Sequence, residues 1–130
     1  MAKTGATGIT RIINAGKYSI KGLKAAFINE AAFRQDCILS VILFASAFWI
    51  VSDAQEAKAL YFIALISGPF LVLLAEIINS AIEAVVDRIG DEYHELSGRA
   101  KDMGSAAVFL ALTYTAVSWI AVILRVYVGI

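Results

Sequence analysis

Residues 59–75 contain no charged side chain, and the run does not end in a loop. It passes directly into Glu76-Ile77-Ile78-Asn79-Ser80-Ala81-Ile82-Glu83-Ala84-Val85-Val86-Asp87. At about 100° per residue, positions i, i+3, i+4, i+7 and i+11 share one face of a helix. Glu76, Asn79, Ser80, Glu83 and Asp87 hold those positions, while Ile77, Ile78, Ile82, Val85 and Val86 cover the other faces. An apolar helix thus acquires a polar stripe near its end. A carboxylate at membrane depth costs roughly 2.5–3.5 kcal/mol even on lenient insertion scales. Two of them stacked on one face call for a metal ion, a proton or a basic side chain.

The remainder of the chain points to a bilayer as solvent. Of 130 residues, 60% are hydrophobic and the mean hydropathy is +0.77; a soluble domain is nearer 45–50% apolar. We read an all-α integral membrane protein of one domain over residues 1–130. It has an N-terminal amphipathic surface helix at about 8–30 and spans at about 34–52, 58–89 and 104–128. In the N-terminal arm Ile9, Ile12, Ile13, Gly16, Ile20, Leu23 and Phe27 follow helical spacing, with Lys17, Lys21 and Lys24 together on another face. A basic amphipathic helix of this kind suits a membrane surface. Glu30 and Arg34 stand at i, i+4 and read as a solvated ion pair. Pro69 favours a kink in the second span, and Gly90 marks its end. Trp49, Trp119 and Tyr127 sit where interface anchors sit, and Arg125 is close enough to the C-terminus to snorkel. Residues 91–104 read as a long polar loop. No cleavable signal peptide is expected, and the single Cys37 allows no internal disulfide. Zero formal net charge predicts no nucleic-acid partner. Lys and Arg concentrate in the arm and in the 87–104 segment, so the positive-inside rule puts both on the cytoplasmic side.

On that side lie Glu30, Glu76, Glu83, Asn79, Lys101, Arg11, Arg34 and His94. Carboxylates without a thiol cluster favour a hard cation such as magnesium, which takes one or two of them and fills its shell with water and phosphate oxygens. A spare carboxylate can act as a general base, and basic side chains can neutralise phosphate charge. The inventory suits phosphoryl transfer at a membrane surface. The stripe also suits a proton-coupled carrier or a polar seam between helices. No P-loop, dinucleotide-binding glycine pattern or protein-kinase motif is present.

Three blocks carry a resemblance to a known family. Asn29-Glu30-Ala31-Ala32-Phe33-Arg34-Gln35, the stripe Glu76–Asp87, and Tyr93-His94-Glu95-Leu96-Ser97-Gly98-Arg99-Ala100-Lys101-Asp102-Met103-Gly104-Ser105-Ala106-Ala107 resemble the prokaryotic diacylglycerol kinases in sequence and order. The first span, the 52–58 loop and the last span match in character more than in letters. The resemblance implies a homotrimer with active sites at the membrane–cytoplasm boundary of the bacterial inner membrane. It implies transfer of the γ-phosphoryl of MgATP to 1,2-diacylglycerol, giving phosphatidic acid and recycling lipid. A related acceptor, undecaprenol, is the alternative within the family. By the same resemblance Glu76 is the general base, Glu30 and Glu83 hold the metal, and Asn79 and Lys101 join Glu76 in catalysis. Arg11, Tyr18, Glu30, Glu83, Glu92, Tyr93, His94, Lys101 and Asp102 would contact the nucleotide. Arg11, Ala32, Arg34, Asp36, Glu76 and Ser105 would border the lipid. Asp36 stands where close relatives often carry Glu.

Overall fold

A computed structural model describes residues 7–90, 92 and 94–130. Among them the chain forms four α-helices and no strand: α1 (Ile9–Asn29), α2 (Ala31–Asp53), α3 (Lys58–Ile89) and α4 (Glu95–Ile123), the last continuing as a π-helical turn over Leu124–Val128. Three helical stretches, Ala31–Asp53, Lys58–Ile89 and Glu95–Val128, are long and apolar enough to cross a membrane. The protein is all-α and built for insertion in a bilayer, as the apolar runs require. α3 is the central element, packing on α2, on α4 and on α1.

Helix α3 has 32 residues, or about 48 Å at 1.5 Å per residue, against about 30 Å of hydrocarbon. Some five turns suffice to cross, so the helix overshoots. The overshoot begins near Glu76, which is why one helix carries both an apolar span and a polar stripe. Gly90 ends it at φ 149°, a backbone conformation that favours glycine.

The helix runs through Pro69 without a break. Proline has no N–H, so the carbonyl of Leu65 loses its helical partner. Trp119 of α4 replaces it: its Nε1–H donates to the Leu65 carbonyl oxygen at 3.0 Å. Trp119, read from sequence as an interface anchor, thus ties α4 to α3. One turn along, Gly68 lets the helices touch, because a Cβ there would lie 2.8 Å from the Thr115 Cα. The buried apolar core lies at this half of the bundle, around Ala47, Ile50, Leu65 and Val122.

Two other expectations change. From Glu95 onward the polar segment 91–104 is not loop but the first turns of α4, which starts behind a cap in which His94 Nδ1 accepts from Leu96 N–H. Charged residues at 95–102 were read as loop because hydropathy alone separates polar from apolar and does not see helix. Glu30 and Arg34 form no ion pair. Glu30 caps α2 in an extended conformation, ψ 115°, which takes its side chain out of helical register although its carbonyl still accepts from Arg34 N–H at 3.3 Å. Arg34 Nη1 instead donates to the carbonyls of Phe27 and Ile28 at 3.1 and 3.0 Å, closing the open end of α1. Phe33 and Ala26, both buried, fix this corner.

Candidate active site

The stripe of α3 forms the spine of the candidate site. Glu76 is 9% exposed, the only carboxylate among the buried residues described. Burying a charge is costly unless it is paired or neutralised, so this position is the most demanding in the molecule. Asp36 of α2 lies within hydrogen-bonding reach of it, and Glu83 and Glu30 are close enough to act on its charge. Three elements therefore bring carboxylates within electrostatic range of Glu76: α2 by Asp36, α3 by Glu83, and the α1–α2 break by Glu30.

One turn along the stripe, Asn79 Nδ2 donates to Glu83 Oε1 at 3.0 Å and so orients that carboxylate. Asn79 Oδ1 is buried with no hydrogen-bond partner. Its seat is created by Gly104 of α4, where any Cβ would collide with Asn79 Oδ1. One turn further, Asp87 pairs with Lys101 Nζ of α4 at 2.6 Å. The two helices are thus joined beside the stripe by a glycine contact and an ion pair.

Two clefts flank this spine. One, of about 270 Å³, runs between α1 and α3 and is lined by Gly22, Ala25, Ala26, Asn29, Glu30, Ile77, Ser80, Ala81 and Ala84. Arg11 and Tyr18 stand at i−11 and i−4 from Gly22, on the α1 face that lines this cleft. They are exposed and farther out along the helix, Tyr18 about 10 Å from Ala25. The apolar face, Ile9, Ile12, Ile13, Ile20, Leu23 and Phe27, is on the opposite side and exposed. The second cleft, of about 290 Å³, lies where α3 meets α4 and is lined by Val86, Asp87, Gly90, Glu92, His94, Ser97, Gly98 and Lys101.

Of the residues singled out from sequence, Glu30, Asp36, Glu76, Asn79 and Glu83 gather around the spine, and Glu92, His94 and Lys101 line the second cleft. Asp102 and Ser105 are exposed on α4 on either side of Met103-Gly104, and Ala32 is exposed on α2. Arg34 is occupied in capping α1. Tyr93 lies outside the described residues. Sequence reasoning gave no role to Asp87, Gly104, Ser97 or Gly98. Asp87 was visible on the stripe, but its partner Lys101 could not be assigned without the packing of α4 on α3.

Among the described residues no three Asp, Glu, His or Cys side chains are gathered as a preformed metal cage. Magnesium needs none, since one or two carboxylates with water and phosphate suffice. The hard oxygen donors of Glu83, held by Asn79 Nδ2, and of Glu30 suit such an ion, while Asn79 Oδ1 is covered by Gly104.

Residues 17–123 match the model of the prokaryotic diacylglycerol kinases. The chain belongs to the prokaryotic diacylglycerol kinase family. It is similar to the diacylglycerol kinase of Escherichia coli K12, at 57% identity over 113 residues, 87% of this chain and 88% of the relative. It is 51% identical to that of Haemophilus influenzae, over 87% of this chain and 92% of the relative. To that of Pseudomonas aeruginosa it is 48% identical, over 92% and 94%. The family match covers the second half of α1, the carboxylate spine and both clefts.

Proposed function

We propose that this protein is an ATP-dependent diacylglycerol kinase of the bacterial inner membrane, giving phosphatidic acid and returning diacylglycerol to phospholipid synthesis. The observation that carries the reading is the buried Glu76 at the start of the α3 overshoot, in a chain of this family. That depth suits a base whose substrate keeps its acyl chains in the bilayer and offers its glycerol hydroxyl at the interface. A desolvated carboxylate is a stronger base than a hydrated one.

In this reading Glu76 takes the proton of the lipid hydroxyl. The hydroxyl oxygen bonds to the γ-phosphorus, the bond from that phosphorus to the β–γ bridging oxygen breaks, and ADP leaves with the electron pair. Glu83, oriented by Asn79, and Glu30 would hold magnesium. Bound magnesium supplies charge neutralisation on the phosphates. Lys101 meets the phosphate charge. Glu92, Tyr93, His94 and Asp102 serve the nucleotide, with Arg11 and Tyr18 at the outer edge. Ala32, Arg34, Asp36 and Ser105 border the lipid, Asp36 by its place beside Glu76 and Arg34 by holding the α1–α2 corner. The bilayer orients the acceptor, so a lid domain is not needed. The N-terminus and the α3–α4 turn are cytoplasmic in this reading, and the active assembly is a homotrimer. The exposed apolar surfaces of the spans are compatible with neighbours as well as with lipid.

The test is phosphoryl transfer from γ-labelled ATP in mixed micelles, with diacylglycerol and undecaprenol offered separately, with and without magnesium. Magnesium-dependent labelling of diacylglycerol is expected. Labelling of undecaprenol alone would change the acceptor, and labelling of neither by folded protein would remove the kinase reading.

A further inference from the structure

The ion pair between Asp87 and Lys101 has a place in the site that stability does not explain. Both side chains are substantially exposed, 63% for Asp87 and 41% for Lys101, and exposed pairs add little to a fold. The pair joins the last turns of α3 to the second turn of α4 and lines the cleft that holds Glu92 and His94. Its geometry also solves a problem. Lys101 lies close enough to Glu83 to feel its charge, and a lysine ammonium is a mobile point charge on a flexible stem. With no other anchor, it would settle on Glu83. That would neutralise a carboxylate the site needs and remove a cation from the cleft. Asn79 holds Glu83 from one side, and Asp87 holds Lys101 one turn farther along the stripe.

We propose that Asp87 is a positioning residue, which keeps Lys101 apart from Glu83 and directed into the α3–α4 cleft where a phosphate is bound. This rests on the reading of Lys101 as a phosphate ligand. Asp87 touches no reacting atom; it acts through Lys101. The α3 stripe therefore has a division of labour: Glu76 faces the acceptor, Glu83 the metal, and Asp87 the lysine of the neighbouring helix.

The test compares wild type, Asp87→Asn, Asp87→Glu, Lys101→Met and the Asp87→Asn/Lys101→Met double variant in detergent micelles. KM for MgATP, kcat at saturating nucleotide, and the rise in melting temperature produced by MgATP are measured for each. Asp87→Asn should raise KM for MgATP about tenfold, the lower end of what losing an orienting partner costs. It should leave kcat and the nucleotide-free melting temperature unchanged and shrink the MgATP-induced rise. Asp87→Glu should recover most of the loss. In the Lys101→Met background Asp87→Asn should add nothing. An unchanged KM, a fall in nucleotide-free melting temperature alone, or an equal loss with and without Lys101 would overturn the proposal. If wild type phosphorylates no diacylglycerol but MgATP still raises its melting temperature, the acceptor reading fails and the melting series still decides on Asp87. If MgATP does not bind wild type at all, both readings fall.

Discussion

At the end of the bundle formed by the α2–α3 loop and the C-terminus, polar groups are matched. Arg125 pairs with Glu56 at 2.8 Å, Tyr127 donates to Asp53 at 2.8 Å, and Lys58 donates to the Ser52 carbonyl. Arg125, expected to snorkel, reaches this exposed end and is paired there. The carboxylate end has a similar inventory in a different state. The buried Glu76 feels the charge of three further carboxylates, Asp36, Glu83 and Glu30, and Asn79 Oδ1 is buried without a partner. The bulk of the apolar core lies nearer the matched end. The difference teaches where to look for chemistry in a chain with little core: matched polar groups hold helices together, while a buried carboxylate among like charges marks a candidate functional site.

That contrast can be broken by substitution, and the largest effect should come from Glu76→Gln. Loss of the general base should lower turnover by about 10²–10⁴-fold, with helical content and melting retained; wild-type turnover from material free of contaminating kinase would exclude Glu76 as base. Next is Gly104→Ala, which fills the space of the Asn79 side chain. Shifting Asn79 misplaces Glu83, and a displacement of an ångström can cost on the order of 100-fold. Steady-state kinetics at varied magnesium should show the loss, whereas unchanged magnesium dependence would separate Asn79 from the metal.

Substitutions away from the carboxylates should act on stability and spare activity. Trp119→Phe leaves the Leu65 carbonyl without a donor, which should cost about 1–3 kcal/mol. Adding Pro69→Ala returns a backbone N–H to that carbonyl, so the double variant should melt above Trp119→Phe alone. Failure of that rescue would show that the indole acts by packing and not by its hydrogen bond. The smallest effect is Ala57→Gly. Ala57 starts α3 at φ 52°, a left-handed conformation that glycine adopts freely, so the variant should gain roughly 0.5–1 kcal/mol in unfolding experiments. Any change in its kinetics would mean the two ends are coupled.

The sequence by itself determined the helices that carry the fold. Long continuous apolar runs, too long and too uniform for the alternating strands of a barrel, satisfy their backbone in lipid as helices, and the i, i+7, i+11 spacing of Glu76, Glu83 and Asp87 puts them on one face at 3.6 residues per turn. The three motif blocks likewise carried the family. Only the tertiary structure decided which groups meet across helices. Periodicity orders side chains around one axis and says nothing of the rotation of the next helix. For that reason Trp119 on the Leu65 carbonyl, Gly104 under Asn79, Asp36 beside Glu76 and Asp87 on Lys101 were not legible. The Glu30–Arg34 pair failed for a related reason: Glu30 is an extended cap residue whose side chain leaves helical register, and Arg34 is taken by the carbonyls at the end of α1.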